Sequence, residues 1–272
     1  MKNALSVDVE DYFHVSGFEH VVDRDRWPEY PVRFHIGMAK ILAILDRHDI
    51  QATFFFLGWI AERYPEVVAD VGARGHEVAV HGYAHHLVHR QRPDEFARDL
   101  ERALAAVRKA YAGPILGYRA PTFSIRADTP WALEIIKDLG FRYDSSILPR
   151  GRGAYDFAGV RDMPYEILDG LLEFPVSTVD VLGRKLPVGG GGYLRFYPFA
   201  LTCRAIEWLN RRRGLPAIVY LHPWELDPEQ PRIRAGWRNT FRHRVNLERT
   251  ERRLEELCTR FELAPVRRVL GV

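Results

Sequence analysis

The chain has 272 residues, of which 47% are hydrophobic and 28% charged, and its net charge is +3. Abundant apolar residues and mixed charges exclude an intrinsically disordered chain and allow one large core or two small ones. The two cysteines, Cys203 and Cys258, are far apart in sequence, which argues against a disulfide framework and indicates buried free thiols.

Short apolar stretches typical of strands alternate with amphipathic stretches typical of helices along most of the chain. The predicted strands are, in order, ALSVDV, ATFFFL, HEVAVH, ILGYRAP, YDSSI, LLEFPVST and PAIVYLHP. The main predicted helices are IGMAKILAILDRHD, YPEVVADVGARG, PDEFARDLERALAAVRKAYAG, DTPWALEIIKDLG and PFALTCRAIEWLNRRRG. This repeated order predicts an α/β fold in which parallel strands and crossover helices form one barrel.

Two regions interrupt the alternation of strands and helices. Residues 11–32 form a long predicted loop after the first strand. Residues 187–198, PVGGGGYLRFYP, contain four consecutive glycines, which we expect to exclude a helix and to form a flexible or closely packed loop.

The C-terminal part of the chain is rich in arginine. Eleven arginines and five glutamates lie between Arg232 and Arg268. This segment could bind an anionic glycan, a lipid diphosphate or a membrane surface, or it could be a solvated helix with extra arginines. We expect no nucleic acid partner. We divide the chain into a barrel over residues 1–230 and an Arg-rich helical extension over residues 231–272 that packs on the barrel.

The N-terminal sequence MKNALSVDVED has acidic residues and no apolar segment of the kind found in secretion signals. The longest apolar stretch, ATFFFLGWIA, is about half the length that a bilayer-spanning helix needs. We therefore expect a cytoplasmic protein, and a peripheral position at the inner membrane surface stays open.

Polar side chains follow the predicted strands. They are Asp8, Glu10 and Asp11 after the first strand, His81 and His85 after the third, and Arg119, Asp144 and His222 after later strands. Because the C-terminal ends of parallel strands share one face of a barrel, we expect these side chains to meet at one mouth.

His81 and His85 belong to the sequence VAVHGYAHHLVH, and their spacing puts both rings on one side of a helical turn. Two imidazoles and one carboxylate form a common catalytic metal site with a position left for water. Zinc fits these ligands best, although cobalt, nickel or manganese accept them too. Alternatively, the histidines cap a turn and bind backbone groups. His86 and His89 are weaker candidates and are predicted to be surface or rim residues.

Five motifs, SVDVED, HGYAH, GYRAP, YDSS and YLHP, occur in the order found in NodB-homology polysaccharide deacetylases (carbohydrate esterase family 4), which the chain resembles over about residues 4–224. The stretches DVEDYFH, LLEFPVST and GGGGYLRFYP resemble the subgroup from exosortase-associated exopolysaccharide loci, which carries an extra C-terminal region. The resemblance implies a distorted TIM-like (β/α) barrel of the NodB-homology type with a C-terminal extension.

The resemblance also implies roles for individual residues. Its two metal-binding histidines match His81 and His85. Its catalytic residues match the base Asp8, the base-orienting Arg119, the general acid His222, and Asp144, which holds that histidine.

The first motif departs from the family pattern, in which a second aspartate directly follows the base and binds the metal. Here Val9 follows Asp8. Because strand residues alternate between faces, Glu10 points the same way as Asp8 and is the expected third ligand. Asp11 is the alternative if the strand ends early. Gly82 replaces the family's usual serine or threonine, which removes a hydroxyl group but no ligand.

Five further residues are candidates for substrate contacts: Tyr12, Pro121, Thr122, Tyr193 and Trp224. Each of the aromatic residues among them could instead belong to the core. The predicted function is metal-dependent hydrolysis of N-acetyl groups from an N-acetylhexosamine-containing polysaccharide or its lipid-linked precursor. One alternative is a small-amide hydrolase of the allantoinase-like branch, and another is a non-catalytic glycan-binding scaffold.

Overall fold

The computed structural model describes residues 1–149 and 160–272, and within these ranges eleven strands and ten α-helices are found. The strands are β1 (Asn3–Val9), β2 (Thr53–Phe56), β3 (Glu77–Val80), β4 (Gly117–Tyr118), β5 (Tyr143–Asp144), β6 (Tyr165–Leu168), β7 (Leu171–Glu173), β8 (Thr178–Val181), β9 (Arg184–Pro187), β10 (Ile218–Leu221) and β11 (Leu263–Ala264). The helices are α1 (Phe34–Arg47), α2 (Gly58–Arg63), α3 (Pro65–Ala73), α4 (Pro93–Ala110), α5 (Trp131–Asp138), α6 (Gly191–Phe196), α7 (Phe199–Trp208), α8 (Trp237–Arg244), α9 (Thr250–Arg260) and α10 (Val266–Leu270).

Nine strands form one sheet, in the order β10-β1-β2-β3-β4-β5-β7-β6, and β11 pairs with β1 beside this path. The pairs are parallel except for β6 with β7. Strands β8 and β9 form a separate antiparallel hairpin. The predicted α/β fold with a distorted, parallel-stranded barrel is confirmed, and the sheet is an open half-barrel.

The strands separate two environments because successive side chains point to opposite faces. Along β1, Ala4 packs inside the half-barrel, where Ser6 and Asp8 also lie against Arg119. The alternate side chains of β1 pack under the helices; they are Leu5, Val7 and Val9. Because of this alternation, polar side chains lie along the inner face of the half-barrel as far as the strand ends.

The longest helix, α4, shows the expected local signals. Pro93 occupies its first turn, and the Glu95 carboxylate accepts a hydrogen bond from the backbone N–H of Arg92. Its buried side chains recur at helical spacing: Phe96, Leu100, Ala103, Leu104 and Val107. The helix therefore covers the outer face of the sheet with one apolar stripe.

The glycine-rich segment contains helix α6, so the expectation that its glycines exclude a helix is wrong. Its glycines are required by close packing on β10. A Cβ on Gly190 would lie 1.9 Å from the Tyr220 ring, and one on Gly191, where φ is +48°, would lie 3.5 Å from Cε1 of His222. The segment is thus closely packed beside His222, as the second half of the expectation stated.

The C-terminal residues are integrated into the fold. Strand β11 pairs with β1, and helix α9 packs on α1. Val266 of α10 is fully buried with Ala4 and Phe55 inside the half-barrel. The domain boundary at residue 230 stays a prediction. No helix in residues 1–149 and 160–272 is both long and apolar enough to cross a bilayer.

A buried carboxylate joins α10 to the inner face of the sheet. Glu77 accepts hydrogen bonds from the hydroxyl groups of Thr53 (2.5 Å) and Tyr143 (2.9 Å) and from the backbone N–H of Arg267 (3.0 Å). Thr53 also accepts a bond from the N–H of Val266. Burial raises the pKa of Glu77 above its usual value, and the three donors oppose this effect.

We predict that Glu77→Ala lowers the free energy of unfolding by at least about 3 kcal/mol, because three donors lose their acceptor and each costs roughly 1–3 kcal/mol. Urea denaturation followed by tryptophan fluorescence measures the change. Glu101→Ala, an exposed position within α4, is the control and should change stability by less than about 0.5 kcal/mol. Equal effects of the two substitutions would contradict this role of Glu77.

Candidate active site and metal centre

Arg119, which directly follows β4, lies at the centre of the site and is 1% exposed. One terminal nitrogen of its guanidinium donates hydrogen bonds to Oδ1 of Asp8 (2.6 Å) and to the hydroxyl group of Ser6 (2.8 Å). Its remaining nitrogens donate to the carbonyl and hydroxyl oxygens of Ser145. The guanidinium also packs 4.2 Å above the ring of Phe55. These bonds fix the position of the Asp8 carboxylate at the end of β1.

Glu10, His81 and His85 converge beside Asp8, as expected for the metal site. Oε1 of Glu10 lies 3.0 Å from Nε2 of His81 and 3.1 Å from Nε2 of His85. Their donor atoms all lie within 4.8 Å of one another, and all three residues are buried. Burial opposes ionisation of Glu10, but the two histidines outweigh it and hold the pKa of Glu10 well below its usual range.

A turn, and not a helix, brings the two histidines together. Gly82 has a φ of +72° and His85 a φ of +53°, so the segment after β3 reverses direction through two left-handed residues. The expectation of a helical turn was therefore wrong, although the convergence that it predicted is found. His86 is exposed, and its Nδ1 lies 3.4 Å from Oδ1 of Asp99; His89 is half-buried, and its Nδ1 lies 3.2 Å from the carbonyl oxygen of Ser124.

Asp11, the alternative third ligand, has a structural role. Its Oδ2 accepts hydrogen bonds from the backbone N–H groups of Arg33 (2.6 Å) and Phe34 (2.9 Å) where α1 begins, and its Oδ1 accepts from Tyr12 N–H. Burial raises the pKa of Asp11, which these donors oppose. Asp11 thus anchors the start of α1, and Glu10 is the carboxylate that faces the histidines.

His222, directly after β10, faces Asp8, with 3.9 Å between its Nε2 and Oδ2 of Asp8. Glu225 contacts the other ring nitrogen of His222, with 3.1 Å between its Oε2 and Nδ1. The same Oε2 accepts a hydrogen bond from the backbone N–H of His222 at 2.9 Å. Burial alone would lower the pKa of His222, but Glu225, with Glu10 and Asp8 beyond it, raises that pKa to about 9. The carboxylates around His222 therefore favour its protonated form.

The prediction that Asp144 holds His222 is wrong. Asp144 accepts a hydrogen bond from the Ser146 hydroxyl group and contacts Glu173, deep in the half-barrel beside Arg119. Burial raises the pKa of Asp144 to about 6 and that of Glu173 well above its usual range. This carboxyl pair supports the Arg119 region, because Glu173 interacts electrostatically with Arg119.

Arg195 of α6 connects Glu225 to the C-terminal part of the chain. Its Nε donates to Oε1 of Glu225 at 2.6 Å, and both side chains are buried. The same guanidinium donates to the carbonyl oxygens of Arg242, His243 and Val245 at the end of α8. Burial would raise the pKa of Glu225, but Arg195 and His222 lower it to about 2.

Two residues that were predicted to contact substrate, Tyr12 and Trp224, are buried. Tyr12 is fully buried in the core, where its ring packs on Phe13, so the structure does not support a contact with substrate. Trp224 is 5% exposed and stacked between His222 and His243, with ring centroids 5.3 and 4.2 Å apart. Trp224 therefore supports the ring of His222 from behind.

The other three candidates lie around the metal-site residues and His222. Pro121 is buried next to Gly82, and the exposed Thr122 shares a 2.6 Å hydrogen bond with Ser16. The Ser16 hydroxyl group is 3.4 Å from Nδ1 of His85. Tyr193 is half-buried in α6, three residues after Gly190. Their contacts with substrate stay predictions.

Sequence reasoning missed Glu225, Arg195 and Ser16. Glu225 follows His222 by three residues, the spacing of a capping box, so the sequence LHPWE held a signal that could have indicated it. Arg195 and Ser16 gave no local signal, because their partners are distant in the chain.

Comparison with known families divides the chain into two parts. A polysaccharide deacetylase family model matches residues 34–143, and a model described as a domain of unknown function (DUF3473) matches residues 145–271. The first match contains His81, His85 and Arg119, and the second contains His222 and Glu225.

Two curated relatives are similar over part of their length. A peptidoglycan deacetylase-like protein of Gibberella zeae is 29% identical over 114 residues, which cover 41% of this chain and 33% of that protein. A chitooligosaccharide deacetylase of Bradyrhizobium is 36% identical over 70 residues, covering 26% of this chain and 32% of that protein. The matches thus span about a third of these relatives.

A solved structure shares the fold over the whole chain. It is a protein assigned as a polysaccharide deacetylase from Mycobacterium smegmatis, with a TM-score of 0.62, 22% identity, and coverage of 100% of this chain and 90% of that one. Residues 34–143 therefore match a polysaccharide deacetylase domain of the NodB type (carbohydrate esterase family 4), and the DUF3473 region fits the exopolysaccharide-associated subgroup.

Proposed function

We propose that the protein is a metal-dependent N-deacetylase that releases acetate from N-acetylhexosamine units of a polysaccharide or of its lipid-linked precursor. The observation that carries this proposal is the convergence of Glu10, His81 and His85. Asp8 and the cationic His222 lie beside this cluster and face each other. Metal-assisted amide hydrolysis uses such a cation site together with a base and an acid.

The donor set fits a divalent cation. The carbonyl oxygen of Arg119 lies 2.8 Å from Nδ1 of His81 and can only accept a hydrogen bond, so Nδ1 carries the proton and Nε2 presents its lone pair. Two imidazoles and a carboxylate suit zinc, and also cobalt, nickel or manganese. When bound, such a cation polarises an amide carbonyl and lowers the pKa of a water molecule.

Asp8 acts as the base in the proposed reaction. Arg119 holds Oδ1, which leaves Oδ2 directed towards His222. Asp8 accepts the proton of a water molecule as the water oxygen bonds to the acetyl carbon. A base fixed in this way loses little free energy in reorganisation during the reaction.

His222 acts as the general acid. It donates a proton to the sugar nitrogen as the C–N bond breaks, which yields acetate and a free amine. An amine leaves poorly as an anion, so a protonated group is needed at this position. Glu225 keeps His222 protonated at neutral pH and fixes the direction of its ring.

The substrate class is inferred from the relatives. They are named for peptidoglycan and chitooligosaccharide, both of which contain N-acetylated hexosamines. The DUF3473 region supports an exopolysaccharide as the substrate of this chain. The complete set of donors, base and acid supports an enzyme over a non-catalytic glycan-binding scaffold.

The test is acetate release from chitooligosaccharides and from an N-acetylated exopolysaccharide, after chelation and with single metals added back. We expect activity to be lost on chelation and restored by zinc or another of the four metals. Full activity in the chelated protein, or no release from any N-acetylated glycan with any metal, would refute the proposal.

Two matched variants separate the roles of Asp8 and Glu10. Asp8→Asn should lower kcat by roughly 10²–10⁴-fold and keep metal affinity, because it removes a base that is not a ligand. Glu10→Gln should weaken zinc binding by more than about 100-fold, measured by isothermal titration calorimetry, because an ionised ligand is lost. Turnover at the full rate in Asp8→Asn would show that another group is the base.

The pH profile tests Glu225. Activity should fall as pH rises through about 9, where His222 loses its proton. Glu225→Gln keeps a hydrogen-bond acceptor but removes the charge, so burial then lowers the pKa of His222. We expect the alkaline limb of kcat to move down by at least about one pH unit. Glu229→Gln, which changes an exposed neighbour, should leave the alkaline limb in place. A shift of this limb in Asp144→Asn but not in Glu225→Gln would contradict the assignment of Glu225.

A further inference from the structure

The exposed face of α8 carries large aromatic side chains. Trp237 is 75% exposed and Phe241 56% exposed, and they lie one helical turn apart. Phe196 of α6, 38% exposed, adds a third ring with its centroid 6.1 Å from that of Phe241. We call these three residues, with Arg238 and Arg242 beside them, the α8 patch. Adjacent exposed rings are unfavourable in water and mark an interaction surface.

The α8 patch is also cationic. Arg238 and Arg242 are exposed one turn apart on α8, and Arg232 and Arg234 are exposed just before it. The sequence from residue 230 to residue 247 contains five arginines and no acidic residue. Within the part of the chain that the structure describes, these four arginines form no ion pair. The positive charge of these arginines favours an anionic partner.

The fifth arginine, Arg244, has a different role. Its guanidinium donates hydrogen bonds to the carbonyl oxygens of Gln230 (3.0 Å) and Pro228 (2.9 Å). It therefore holds the segment before α8 in place, and it is not part of the patch.

Helix α8 lies beside the mouth of the site. On its buried side, the Asn239 amide donates to the carbonyl oxygen of Gly17 at 2.9 Å. The His243 ring stacks on Trp224, which stacks on His222, and it also contacts Phe18. The buried side of α8 is thus connected to His222 through His243 and Trp224.

We propose that the α8 patch binds the surface of an anionic bilayer. Tryptophan and phenylalanine partition into the interface between lipid head groups and acyl chains, while neighbouring arginines bind lipid phosphates. The patch offers both kinds of side chain on one exposed face. The exposed polar groups beside the rings are cationic, and the Asn239 amide is already bonded to Gly17, which favours phosphate groups over the hydroxyl groups of a neutral sugar.

This inference extends beyond the proposed deacetylation. It places the protein peripherally on a membrane, the location at which a lipid-linked glycan would be presented. Vesicle binding can be measured without any substrate, so its outcome is independent of catalytic activity.

The test is co-sedimentation of the full chain with vesicles of phosphatidylcholine alone and of phosphatidylcholine with phosphatidylglycerol. We expect binding to the anionic vesicles and much weaker binding to the neutral ones. Arg238→Gln/Arg242→Gln should weaken binding by at least tenfold, and roughly 30-fold if each arginine contributes its usual share. Trp237→Ala/Phe241→Ala should weaken binding to a similar extent.

Two matched control variants leave the α8 patch intact and change similar side chains elsewhere. Leu182→Ser changes an apolar side chain that is 99% exposed in the β8–β9 turn, and Arg211→Gln/Arg212→Gln removes two exposed charges elsewhere. Both should bind anionic vesicles like the unchanged protein, and all variants should release acetate from soluble chitooligosaccharides at the same rate. Absent vesicle binding, equal binding by patch and control variants, or loss of activity on soluble glycan in Trp237→Ala/Phe241→Ala would overturn the proposal, the last by indicating a glycan subsite.

Discussion

The geometry of the site depends on the buried guanidinium of Arg119 and its bond to Asp8. A buried cation needs a fixed anionic partner, and this pair is held further by Ser6 and Ser145. The backbone of the same residue orients His81, because its carbonyl oxygen accepts the Nδ1 proton. One residue at the end of β4 therefore fixes both the proposed base and one proposed metal ligand.

A second buried ion pair, between Arg195 and Glu225, completes the site from the other half of the chain. The segment matched by the polysaccharide deacetylase model provides the histidines of the cation cluster, whereas the DUF3473 segment provides His222 and both members of this pair. Arg195 also binds the carbonyl groups at the end of α8. The DUF3473 region thus contributes residues to the site, and it connects His222, the proposed acid, to the exposed helix α8.

Much of the fold and half of the site could be predicted from local patterns. The alternation of β1 identified Glu10, because side chains two residues apart share a face, and the burial of Val9 agrees with it. Tyr12 is fully buried in the core and Trp224 is almost fully buried beside His222, because aromatic residues near a strand end serve the core as readily as a cleft. Asp144 was assigned from the family pattern, but its carboxylate contacts Ser146 and Glu173, whereas Glu225 contacts His222.

The sequence by itself determined the order of strands and helices, the face on which each strand carries its polar groups, and the residue types available at the mouth. These follow from periodicity, which acts over a few neighbouring residues. Only the tertiary structure decided that Arg195 supports Glu225, that Ser16 lies beside His85, and that glycines pack against Tyr220. Such contacts depend on where distant segments meet and on which buried charges must be paired there, and neither is encoded in local spacing.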